Sequence, residues 1–199
     1  MNIKNLLKER LAPPKEAKPE KSNRIPSAVI IPFCEDKGKP HLLFLKKVDS
    51  SYSHGGQVCF PGGCYKAEDG NLLETALREF EEETGVSRNR IEILGSLRPI
   101  DTRSTNFTIY PFVGFMDTLP RLRIDRKEIE KYFFVPLEYI LKRYPFKPTL
   151  YRYRGVDFET YLIPYQGEII WGATARILKE LMEKIAPYLT GTREPPLTL

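Results

Sequence analysis

Histidine and cysteine are scarce in this chain, and their scarcity removes several chemistries. The 199 residues hold two histidines and three cysteines, Cys34, Cys59 and Cys64, with no C-x-x-C pair. That pattern excludes a paired-cysteine zinc site, and an odd thiol count offers no disulfide framework. A reducing, cytoplasmic compartment is expected. No apolar run approaches the ~18 residues that cross a bilayer, and the N-terminus lacks an apolar signal core, so no membrane partner is expected. Excess charge of one sign is also small: 31 Lys+Arg against 26 Asp+Glu give +5 and a pI near 9.0. This mild basic balance steers small anions and falls short of a nucleic-acid-binding fingerprint, so no nucleic-acid partner is expected.

What remains suits one sizeable core, since 41% of the residues are hydrophobic and the length is short for two. Asn2 to Leu11 reads as an amphipathic helix with Ile3, Leu6, Leu7 and Leu11 on one face, stopped by Pro13-Pro14. A Pro-, Lys- and Glu-rich solvated linker follows, to about residue 24. Residues 25–190 make the main domain and 191–199 a tail. Short apolar runs at 28–31, 42–45, 57–60, 91–97, 107–116 and 156–163 read as strands. Helices are expected at 136–143 and 173–185, the latter with Ile177, Leu178, Leu181, Met182 and Ile185 inward. The stretch 121–131 reads as a mobile, charged connection. The fold class is α/β, an α/β/α sandwich around a mixed sheet.

Acid is crowded where a folded protein usually avoids it. If residues 72–84 are helical, Glu79, Glu82 and Glu83 stand at i, i+3 and i+4 and project from one face within a single turn. Asn71 with Glu74 has the spacing of a capping box, and Gly85 suits the left-handed residue that ends a helix. Arg78 precedes the cluster, where its planar fork can orient a carboxylate. Three carboxylates beside Gly62 and Gly63 read as a site for a hard divalent cation, Mg2+ or Mn2+, completed by substrate phosphate. An ordinary acidic surface helix is the competing explanation.

These residues carry a resemblance. Gly63 with Arg78-Glu79-Phe80-Glu81-Glu82-Glu83-Thr84-Gly85-Val86 is similar to the Nudix box, although residues 64–77 make its spacing one longer than usual. The early glutamate of the box is therefore replaced by Asp69 or Glu68. The longer spacing resembles the coenzyme A diphosphatase branch. So does the block Ser53-His54-Gly55-Gly56-Gln57-Val58-Cys59-Phe60-Pro61-Gly62-Gly63, with further likeness at 107–114 and 170–176. Lys46-Lys47 and Ser51-Tyr52 depart from the branch, which carries Arg-Ser and Leu-Arg in those places.

The resemblance implies a Nudix-type sandwich and a Mg2+- or Mn2+-dependent hydrolase that splits coenzyme A, or a derivative, into 3′,5′-ADP and a phosphopantetheine product. Another nucleoside diphosphate derivative (ADP-ribose, NADH, a dinucleotide) is the alternative, and a non-catalytic nucleotide-binding module is a third. The implied metal ligands are Glu79, Glu82, Glu83 and the Gly63 carbonyl. The implied base is Glu128, with Glu79 or Glu82 as its rival, and Arg78 completes the catalytic set. His54 or Gln57 would touch a phosphate or the nucleotide, or hold their loop. Gly62 would let the backbone approach phosphate, Tyr52 and Phe107 are candidates for stacking the base, and Lys46 and Arg103 for pairing with phosphates. Trp171 is expected in the core. A second copy of the chain is a candidate partner.

Overall fold

Alternation along the strands decides the layering. The structure is a computed structural model that describes residues 2–49, 56–103, 105–153 and 155–191. From the N-terminus the elements are α1 (Ile3–Arg10), β1 (Ile25–Asp36), β2 (Lys39–Lys47), β3 (Val58–Cys59), β4 (Gly62–Cys64) and α2 (Leu72–Thr84). Then come β5 (Glu92–Ser96), β6 (Ile100–Asp101), β7 (Phe107–Met116), β8 (Ile129–Pro136) and α3 (Leu137–Leu141). Two hairpins, β9 (Thr149–Tyr153) with β10 (Val156–Thr160) and β11 (Ile163–Tyr165) with β12 (Glu168–Ile170), lead into α4 (Gly172–Leu189). The main sheet runs β3-β2-β1-β7-β5, and β4 adds to β1, β6 to β7 and β8 to β2. It is mixed, because β1 and β7 pair in parallel while the other pairs are antiparallel.

Odd positions of β1 (Val29, Ile31, Phe33) enter one apolar cluster with α1 and α4, and even positions (Ala28, Ile30, Cys34) enter another beneath α2. A period of two thus feeds both faces of the sheet and yields the expected α/β/α sandwich. The five residues expected inward on α4 are all buried. The first helix belongs to the same core: Leu6 and Leu7 are 1% and 0% exposed. Burying such side chains stabilises by about 1.5–3 kcal/mol each. The Pro-rich segment after it is largely exposed but tied at two points, with Ala12 bridging Ser96 and the Ala17 carbonyl accepting Leu72 N–H at 3.0 Å.

Two expectations need correction. Residues 121–131 are not loosely held: Leu122 and Ile124 pack on the α2-side cluster, and Arg123 N–H donates to the Thr84 carbonyl at 2.8 Å. Their last residues begin β8, whose charged positions concealed it from a reading by alternation. The run 156–163 is two strands, β10 and β11, divided at Tyr161-Leu162.

The helix α2 starts and stops as its sequence requires. Asn71 Oδ1 accepts Glu74 N–H at 2.9 Å, and Gly85 closes the helix at φ 66°. The Glu74 carboxylate pairs with Arg88 at 2.6 Å instead of returning to the cap. Because α1 is packed rather than appended, Leu7→Ala should destabilise the protein by about 2–5 kcal/mol in urea unfolding. An unchanged midpoint would mean that α1 detaches in solution.

Candidate active site

Two glycines bring the strand β4 against its neighbours. A Cβ on Gly62 would lie 2.3 Å from the Ala28 carbonyl oxygen, and a Cβ on Gly63 would lie 2.5 Å from the Glu79 carboxyl carbon. Only glycine permits both approaches. The result sets the Gly62-Gly63 backbone directly on the acidic face of α2.

The three carboxylates have three different environments. Glu83 is 2% exposed, accepts Gly62 N–H at 3.0 Å and is ion-paired with Lys47. Burial raises its carboxyl to about 7, against the opposing pull of Lys47 and the Gly62 amide. Glu79 is 14% exposed and Glu82 55%, and a single Arg78 Nη1 donates to both, at 2.7 and 3.0 Å. Arg78 is itself fixed by Asp69 through two bonds, Nε to Oδ1 at 2.7 Å and Nη2 to Oδ2 at 3.0 Å.

Asp69, not the exposed Glu68, therefore fills the place of the early acid. Thr75 Oγ1 and Lys66 N–H complete its shell at 2.7 and 3.0 Å. The Arg78 hydrogen bonds, with those from Thr75 and Lys66, hold its carboxyl well below the usual carboxylate range.

Beside the glycine pair lies a cavity of about 630 Å3. Its polar wall includes Lys47, Gln57 and Glu128, and its apolar wall includes Phe107, Trp171 and Ile177. Gly62, Gln57, Phe107 and Glu128 all line this cavity. The Glu128 carboxylate stands 3.9 Å from Lys47 Nζ. Lys46 does not reach the cavity: it pairs with Glu130 and Glu168 at 3.1 and 3.3 Å on the other face of β2. Strand parity sends Lys47 to the α2 face with Leu43 and Leu45, a signal present in the sequence. Arg103 lies in an adjoining pocket and donates to the Glu159 carbonyl at 3.1 Å. Trp171 is 9% exposed and packs on Tyr151, Tyr153 and Phe158, while also bordering the cavity. Tyr52 and His54 lie outside the described residues.

Among the described residues, no group of three His, Cys, Asp or Glu side chains already converges to hold a metal ion. The donor set nonetheless fits a hard divalent ion, being carboxylate oxygens beside a backbone carbonyl, that of Gly63, which accepts Ser27 Oγ–H at 2.8 Å. The charge that such an ion would neutralise is met by Arg78 and Lys47.

The architecture matches solved Nudix structures. A Caenorhabditis elegans Ap4A hydrolase complex aligns over 84% of this chain and 98% of its own, at TM-score 0.53 and 14% identity. A MutT/nudix family protein from Enterococcus faecalis aligns over 85% of this chain and 64% of its own, at TM-score 0.55 and 16% identity. These place the protein in the class of α/β Nudix folds. Sequence carries the assignment further, for the NUDIX domain model matches residues 24–153. A protein named uncharacterized Nudix hydrolase NudL from Enterobacter sp. (strain 638) is 35% identical over 163 residues, 82% of this chain and 84% of its own length. Its namesake from Yersinia enterocolitica is 34% identical over 160 residues, 80% of each. The chain belongs to the Nudix hydrolase family and is a pyrophosphohydrolase; such enzymes use divalent metal ions.

The Asp69–Arg78 pair yields a prediction with a definite sign. Its carboxyl is depressed in the fold, so its stabilisation is present in full above the unfolded value of about 4 and is lost as pH falls through the folded value. Asp69→Asn should cost about 2 kcal/mol at pH 7, and the difference from the parent protein should shrink steadily below about pH 4 in urea unfolding. A pH-independent difference would assign the loss to packing.

Proposed function

We propose that the protein hydrolyses the diphosphate linkage of coenzyme A, or of an acylated or oxidised form, giving 3′,5′-ADP and a phosphopantetheine product. The observation that carries the reaction is Arg78, anchored by Asp69, holding Glu79 and Glu82, with Glu79 against the Gly63 backbone, which lines a cavity of about 630 Å3. The coenzyme A choice is supported by the long spacing at 64–77 and by the block 53–63. The relatives' names state no substrate. The tied-up Lys46 and the Tyr52 departure favour a second reading, another nucleoside diphosphate derivative such as ADP-ribose, NADH or a dinucleotide.

A diphosphate resists water because its oxygens already repel a nucleophile. Bound Mg2+ or Mn2+, held by Glu79, Glu82, Glu83 and the Gly63 carbonyl, would supply charge neutralisation at the phosphates. The chain's own groups do the rest. Arg78 fixes the carboxylate rotamers, and a narrower spread of geometry means less reorganisation during reaction. Gly62 and Gly63 let phosphate approach the backbone. Glu128, at the cavity rim, accepts a proton from water as the attacking oxygen bonds to phosphorus and the P–O bond to the bridging oxygen breaks. Lys47 steers it, 3.9 Å away. The three free thiols fit a reducing cytoplasm.

The test is a substrate panel with Mg2+ and with Mn2+, with products identified by mass. Coenzyme A should be cleaved at higher kcat/KM than dephospho-coenzyme A, ADP-ribose or NADH. Glu82→Gln, at a largely exposed position, should lower turnover by about a hundredfold or more while leaving thermal unfolding unchanged. Preferential cleavage of ADP-ribose or NADH would replace the substrate, and undiminished metal-dependent turnover by Glu82→Gln would remove the site.

A further inference from the structure

Next to the cavity, two arginines share a pocket, and among the described residues no carboxylate holds either. Arg103 and Arg176 both line a pocket of about 120 Å3, together with Glu159, Thr160 and Tyr161. Arg103 Nη1 donates to the Glu159 carbonyl at 3.1 Å, and Arg176 Nη1 to the Asp101 carbonyl at 2.7 Å. Each guanidinium carries five N–H donors, so several stay available. The nearby Asp101 carboxylate is taken by Arg24 at 3.2 Å, and among the described residues neither Arg103 nor Arg176 forms an ion pair. Burial, and after it the charge of Arg103, holds Arg176 below its ordinary pKa. Like charges brought together at a partly buried place cost free energy unless an anion joins them.

The pocket shares walls with the cavity at three points. Arg103 follows Thr102, Arg176 precedes Ile177, and Thr160 Oγ1 accepts Gly172 N–H at 2.9 Å. Thr102, Gly172 and Ile177 all line the cavity. With about 30 Å3 per liquid water, the pocket has room for one phosphate group and some solvent. We propose that Arg103 and Arg176 form a phosphate-monoester subsite, which selects nucleoside diphosphate derivatives carrying a further terminal phosphate away from the bond that is cut. The planar forks suit two or three phosphate oxygens at once.

The proposal rests on the substrate reading above only in naming the ligand class, and binding tests it without turnover. Calorimetric titration of the full chain should show 3′,5′-ADP binding at least about tenfold tighter than 5′-AMP, as expected for one added charge-assisted contact set. Arg103→Gln, at an exposed side chain, and Arg176→Gln should each erase most of that preference, while Arg176→Lys keeps part of it. Circular dichroism checks that each variant folds, and Arg103→Gln alone decides the outcome if Arg176→Gln does not. Equal affinity for the two nucleotides in the parent protein, or a preference that survives Arg103→Gln, would overturn the subsite. Failure of coenzyme A as a substrate alongside an intact 3′,5′-ADP preference would sink the substrate reading and leave the subsite standing.

Discussion

Three carboxylates on one turn of α2 repel one another, and the arrangement persists because fixed cations stand among them. Two unit charges 4 Å apart interact by about 4 kcal/mol at an effective dielectric near 20, so a lone acidic turn at this density is costly near a protein surface. Arg78 spans Glu79 and Glu82, Asp69 fixes Arg78, and Lys47 enters from β2 to meet the buried Glu83. Each partner comes from a different segment, so the sheet, the 3-10 turn that carries Asp69 and the helix must all be in place before the charges balance. The glycine pair follows from the same requirement, since any side chain there would collide with Glu79 or with β1.

From that balance comes chemistry. Carboxylates held by an arginine fork are poised to exchange part of their charge pairing for a divalent ion and the phosphates it brings. The cavity is lined by polar Lys47, Gln57 and Glu128 and by apolar Phe107, Trp171 and Ile177, which suits a ligand with a charged linkage and an uncharged body. The pocket lined by Arg103 and Arg176 lies next to it.

Much of this was legible in the order of residues. Asn71 and Gly85 bracket α2, the i, i+3, i+4 spacing puts its acids on one face, and the short apolar runs with two amphipathic helices point to a sheet flanked on both sides. The ambiguity between Glu68 and Asp69 had no local answer, because both are acidic and adjacent; only the position of Arg78 in space selects Asp69. Parity with Leu43 and Leu45 marks Lys47, not Lys46, as the lysine that faces α2. The strand β8 escaped notice because Glu130 and Lys131 interrupt its apolar pattern and its partner β2 lies some eighty residues away in the chain. The packing that pins residues 121–128 is equally nonlocal.

The most direct test is to soak or co-crystallise the protein with Mn2+ and locate the ion by anomalous scattering. Manganese coordinated by Glu79 or Glu82 together with the Gly63 carbonyl, with Arg78 displaced from at least one carboxylate, is what the charge-balance account predicts. Manganese bound elsewhere, with Arg78 still spanning both glutamates at saturating metal, would contradict it.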